Sequence, residues 1–205
     1  MHTISPASSA CSQAWPDHPP VIAWERLLGR FADLFIRPSA ALFMVLIGAW
    51  VLCPGRRTVI RMIGIGDPDG EHAHDAYHRF VRAGQWTMAR LWCRLLLLLV
   101  ATLELPKTLW LHGDDTLFHK SGRKVKGAGS FRDPIRSRAN KVVYAWGLNL
   151  VVLAVEIRPP WGGEPLALPI NVRLYKKGGP SHLDLMQQMV EEVVRIPAKA
   201  STESG

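Results

Sequence analysis

Apolar residues recur at helical spacing through the first hundred positions, and the pattern then shifts to alternating and continuous apolar runs. In Val21–Phe35 the positions Ile22, Leu27, Leu28, Phe31, Leu34 and Phe35 form one helical stripe. Ser39 can cap a helix over Ala40–Leu52, which stops at Pro54-Gly55. A short basic helix follows over Arg56–Ile63, then a turn cluster at Gly64–Gly70, then helices over His72–Arg82 and Thr87–Leu103. Beyond Pro106 the run Thr108–Leu111 reads as a strand leading into Asp114 and Asp115. Lys141–Ile157 is β-branched, apolar and long enough for one bent strand, interrupted at Gly147–Asn149. Pro159–Gly163 is a turn, Ala167–Tyr175 a further strand and Lys176–Pro180 its end. Ser181 caps a last helix to Arg195, with Leu183, Met186, Met189, Val190, Val193 and Val194 as its apolar stripe. The fold class expected is α+β: an all-helical N-terminal region, then three strands and a helix.

With 205 residues, 48% of them hydrophobic, the chain can build a core in one or two domains. The expected division is a Ser/Pro-rich tail over 1–20, a helical region over 21–104, a mixed domain over 105–197 and a polar tail over 198–205. Cys11, Cys53 and Cys93 have no zinc spacing and form no disulfide framework, which fits a reducing cytoplasm. His72, His74 and His78 share a segment without a Cys or Glu partner at metal-binding spacing, and read as helix-surface residues. The opening residues are polar and do not resemble a signal peptide. The apolar runs Ala41–Cys53 and Leu95–Ala101 are shorter than the roughly 20 residues a span needs. No membrane association is expected, and a cytoplasmic location is.

Charge adds the first chemical information. Between His119 and Lys141 lie eight basic residues (Lys120, Arg123, Lys124, Lys126, Arg132, Arg136, Arg138 and Lys141) against the single acid Asp133, a net +7 of the chain's +8. A basic loop holds phosphates, and carboxylates on a neighbouring strand can hold a hard cation such as Mg²⁺. The pairing points to metal-dependent chemistry on nucleic acid. Strand alternation sends Asp114 and Asp115 to opposite faces, so only one can face a given site; His112 shares the face of Asp114 and could partner it. Upstream, a helix, a Pro-Gly turn and a short basic helix suggest a helix-turn-helix in which Arg56, Arg57 and Arg61, with Thr58, meet phosphates. An ordinary helical bundle with solvated arginines accounts for the same pattern.

GRRTVIRM (55–62), AYHRFVRAGQW (76–86), the Asp-Asp-Thr strand with its KSGRKVKG loop and YAWGLNLVVL (144–153) together resemble insertion-sequence transposases of the DDE superfamily. The resemblance covers about Pro38 to Arg195. It implies a helical N-terminal region followed by the first part of a ribonuclease-H-like nuclease fold. It also implies Asp115 as first catalytic carboxylate and ligand of Mg²⁺ or Mn²⁺, with Asp114 the alternative, and two-metal phosphoryl transfer on double-stranded DNA at transposon ends. Arg56, Arg57, Arg61, Lys120, Arg123, Lys124, Lys126, Arg132, Arg136 and Arg138 would contact DNA. The family's second Asp and its Glu have no counterpart: Asp184 falls on the last helix and Glu156 at the end of the middle strand. The chain is therefore expected to be C-terminally truncated and inactive by itself, with an unpaired strand edge that favours self-association. The alternative is a non-catalytic DNA-binding protein or regulator derived from a transposase.

Overall fold

The structure, a computed structural model, describes residues 19–103, 108–122 and 124–200. Most of the tail expected over 1–20, and Arg123 of the basic loop, lie outside the described residues. The chain divides between Thr87 and Met88 into two compact units.

Among the described residues the first unit holds four α-helices. Helix α1 spans Pro19–Gly29, and a single 3-10 turn covers Ala32–Leu34. One continuous helix to Phe35 was expected. The helix ends at Gly29, a poor helix former, and the turn swings Leu34 inward to burial. Helix α2 (Arg37–Leu52) starts ahead of Ser39, with Ile36 as N-cap and Pro38 in the first turn, where its missing N–H costs nothing. Helix α3 runs over Val59–Gly66, not Arg56–Ile63. Thr58 is its cap, the Oγ1 accepting from the Arg61 N–H at 3.4 Å, so Arg56 and Arg57 belong to the preceding turn, which Gly55 makes with φ of 79°. The helix continues into the expected turn cluster as far as Gly66, which lies against α2: a Cβ there would sit 2.9 Å from Ala49 Cβ and Val45 Cγ1. Helix α4 spans His74–Ala83. Leu42, Leu46, Ile63, Tyr77 and Phe80 form the core, with Phe35, Phe43 and Trp86 packed around it. Inside, the carboxylate of Asp67 accepts from the Tyr77 hydroxyl at 2.9 Å and from the N–H groups of Glu71 and His72 at 2.7 and 3.0 Å.

The second unit comprises α5 (Met88–Thr102), β1 (Leu111–His119), β2 (Gly129–Arg132), β3 (Tyr144–Ile157), β4 (Leu166–Tyr175) and α6 (His182–Ala200). The strands form one antiparallel sheet with β3 in the middle. The α+β class expected from the sequence is the one observed. Three details differ. Strand β1 carries the two aspartates in its middle; they do not follow its end. Strand β2, read as part of the basic loop, pairs Gly129–Arg132 with Gly147–Tyr144. Helix α6 continues past Arg195. Interrupted only in composition, β3 is a single strand through Gly147–Asn149.

On β3 the odd-numbered Val151, Leu153, Val155 and Ile157 enter one core with Ile170 of β4, Leu96 of α5, and Leu185, Met189 and Val193 of α6. Both helices therefore cover the same face of the sheet. Arg173 and Asn171 of β4 tie that face to α6 through the carboxylate of Glu192, Asn171 Nδ2 donating at 2.9 Å. Among the described residues β1 pairs only with β3.

Candidate active site

Asp115 lies on the helix-covered face of the sheet. It is opposite Val151 in the β1–β3 register, and two residues before it Gly113 makes room for Met186 of α6. Its Oδ2 accepts from Asn149 Nδ2 at 3.4 Å. Asp114 takes the other side, as alternation requires, and its Oδ1 accepts from the Asp115 N–H at 2.8 Å. His112 does not partner Asp114. It bonds Glu156 at 2.9 Å, because Glu156 extends the row on that face beyond Ala154, the partner of His112 in the register.

Past the end of the helix-covered core, the sheet opens into a pocket of about 400 Å³ lined by Asp115, Asn149, Arg132, Lys177, Tyr144 and His182, among others. The pocket thus sets one carboxylate among cations. Lys177 Nζ lies 5.4 Å from the Phe131 ring centre, and Tyr175 stacks on His182 at 4.0 Å. Ser181 and Asp184 cap α6 reciprocally beside it: Ser181 Oγ accepts from the Asp184 N–H at 3.1 Å, and Asp184 Oδ2 from the Ser181 N–H at 2.9 Å. Asp184 is therefore a capping residue.

Of the basic residues named from sequence, Arg132 alone among the described residues joins Asp115 in lining the pocket. Lys120 lies over the Phe118 ring at 5.3 Å, and Lys124, Lys126, Arg136 and Arg138 are exposed. In the helical unit Arg56 and Arg61 are exposed, whereas Arg57 donates from Nε to the Trp50 carbonyl at 2.8 Å and lies over the Trp50 ring. Sequence reasoning passed over Asn149, Lys177, Tyr144 and His182. Only Asn149 carried a signal: it is polar at an inward-facing position of an apolar strand.

The basic loop is held by a buried acid. Asp133, 1% exposed, accepts from the N–H groups of Ile135 and Arg136 at 3.0 and 3.1 Å and bonds His119 Nε2 at 2.9 Å. Burial pushes its carboxyl up, but the Arg136 N–H, His119 and the Ile135 N–H outweigh it and leave the group below its usual range. Asp67 is likewise lowered, by the His72 N–H, Tyr77 and the Glu71 N–H acting against burial. A carboxyl lowered on folding binds fewer protons in the native state. Its stabilisation is complete above the unfolded pKa of about 3.9 and fades as pH falls through the folded value. Urea midpoints should therefore fall steeply below about pH 4. The Asp133→Asn protein should start lower at neutral pH and lose less on acidification; equal acid losses in parent and variant would exclude Asp133 as a source.

Among the described residues no group of three or more His, Cys, Asp and Glu side chains is placed to hold a metal, and no helix is long and apolar enough to cross a membrane. Asp115 does have a second oxygen donor nearby, for the buried Oδ1 of Asn149 has no hydrogen-bond partner. A carboxylate and an amide oxygen fit one hard cation that keeps waters and takes its remaining ligands from a phosphate. Comparisons with curated proteins and with solved structures gave no match. The family model described as DDE superfamily endonuclease matches residues 33–183, nearly three-quarters of the chain, across α2 to α5 and the four strands. By that match, and by an α+β arrangement consistent with it, this chain belongs to the DDE superfamily endonuclease family.

Proposed function

We propose that the protein is an insertion-sequence transposase component that binds duplex DNA at transposon ends, with Asp115 as a carboxylate of its nuclease centre. The observation that carries this reading is the pocket, where Asp115 stands with Arg132 and Lys177. The cations attract a phosphodiester and neutralise its charge, and the Asn149 amide steadies the Asp115 carboxylate. In the two-metal chemistry of the family, one divalent cation held at Asp115 would activate a water or 3′-hydroxyl and a second would stabilise the leaving oxygen. Lys120, Arg123, Lys124, Lys126, Arg136 and Arg138 hold the flanking backbone, and the helical unit adds contacts through Arg56, Arg57 and Arg61. The proposed location is the cytoplasm, which the unpaired Cys53 and Cys93 fit. The β1 edge offers a route to self-association.

Asp115 is the only carboxylate lining the pocket among the described residues. We therefore propose that this chain by itself leaves DNA uncut, and the same observation favours the second reading, a non-catalytic regulator derived from a transposase. Supercoiled plasmid incubated with Mg²⁺ or Mn²⁺ tests both, with Asp115→Ala as control. The expected result is retarded mobility from binding and no nicking by either protein. Nicking by the parent and not by the control would show that the site is complete without further carboxylates. No binding to DNA would sink the reading as a whole.

A further inference from the structure

We propose that Asn149 is itself a ligand, beside Asp115, for one divalent cation in this pocket; the proposal deepens the reading above and rests on it. Asn149 is 5% exposed and stands in the inward row of β3 that continues as Val151, Leu153, Val155 and Ile157, all apolar. Its Nδ2 reaches Asp115 at the long distance of 3.4 Å, and its Oδ1 is buried without a donor. A buried amide oxygen left without a partner is costly, and such a group calls for an ordered water, an ion or a catalytic role. The neighbourhood decides which ligand. An anion is repelled by an amide oxygen next to a carboxylate. His182 lines the same pocket but makes no bond to Asn149, its own Nε2 being buried without a partner. A charged carboxylate and a neutral amide oxygen, on two residues lining one pocket, suit Mg²⁺ or Mn²⁺.

Arg132 and Lys177 line the same pocket. Their charge opposes a lone cation and favours one that arrives with a phosphate. The cation is therefore held weakly by the protein alone and more tightly when DNA is bound. A hydrogen-bonding role for Asn149 alone would make no use of its oxygen; a cation-binding role uses both ends of the amide site.

The experiment is a Mg²⁺ titration of the full chain, with and without a DNA duplex, read by NMR at the Asn149 side-chain amide, and a parallel Mn²⁺ affinity measurement. The amide signal is assigned by its loss in Asn149→Asp. The parent signal should shift with Mg²⁺, and Asp115→Asn should abolish that shift. Asn149→Ala should weaken Mn²⁺ about tenfold, in the range found for groups supporting a metal site. Asn149→Asp, which adds a charge, should strengthen it. Parent-like Mn²⁺ affinity in folded Asn149→Ala, with binding lost in Asp115→Asn, overturns the role of Asn149 and leaves Asp115 standing. Unchanged binding in Asp115→Asn overturns the metal site altogether. If Asn149→Ala does not fold, a parent amide signal that ignores Mg²⁺, or an Asn149→Asp protein no tighter than the parent, overturns the proposal equally.

Discussion

Replacing Lys120, Arg123, Lys124 and Lys126 together by Ala should flatten the salt dependence of DNA binding by up to about 3.6 units of slope, because each phosphate contact contributes about 0.9. Between about 50 and about 200 mM salt the parent would then lose about 100-fold more affinity than the variant. The loop can lose these charges without unfolding, since its anchors are elsewhere. The Lys120 N–H donates to the Trp146 carbonyl at 3.1 Å, and Trp146 Nε1 donates to the Gly122 carbonyl at 3.2 Å. At its far end Gly127, with φ of 85°, turns the chain against Leu174. The effect should be alike on unrelated duplexes, because phosphate contacts carry no sequence information. Equal slopes for parent and variant would remove this loop from the interface.

Much of this architecture could be read from periodicity. The stripe of α6 reaches the core through Met189 and Val193, although Leu183 and Val194 are exposed and Leu185, outside the expected stripe, is buried; from Val151 onward the inward row of β3 is as apolar as a buried strand requires. What escaped was set by contacts between distant segments. Four residues, Gly129–Arg132, become a strand only because Tyr144–Gly147 offers them a ladder, and nothing local in a run of charge and glycine announces it. Gly64–Gly66 remain helical because α2 packs tightly on Gly66, although glycines alone argue for a turn. Helix ends slipped where two capping choices competed: Pro38 in the first turn of α2 prevailed over Ser39 as its cap.

The site was legible to a similar degree. The alternation that separates Asp114 from Asp115 follows from strand geometry, and their different partners agree with it. Asp133 was counted from sequence only as the one acid in a basic stretch. Its burial, and its grip on Ile135, Arg136 and His119, depend on how β1 and the loop after β2 converge. Lys177 and His182 reach the pocket through the turn between β4 and α6, so no spacing rule joins them to Asp115. Asn149 could have been found: a polar residue in phase with Val151, Leu153 and Val155 contradicts the core pattern around it, and such contradictions concentrate at functional positions.

Gly147→Ala should destabilise the sheet unit by about 3 kcal/mol, the upper end of the usual cost of overpacking. Gly147 faces His119 on one side and Gly129 on the other, where β1, β2 and β3 meet. A Cβ there would overlap the Phe118 carbonyl oxygen and come within 3.0 Å of Leu117 Cδ1 and the Phe118 carbonyl carbon. These are largely main-chain atoms of β1, so relief requires moving the strand that carries Asp115. Gly113 offers the comparison on the same strand: its added methyl would meet only the flexible end of Met186, which can turn aside. Gly113→Ala should therefore cost about 1 kcal/mol. Urea unfolding of both variants, with amide exchange read along β1, separates the two cases. Faster exchange from Thr116 to His119 in Gly147→Ala is the expected signature. Equal stability of the two variants would mean that β1 is free to shift at this point, and that the position of Asp115 is not held by the close approach of Gly147.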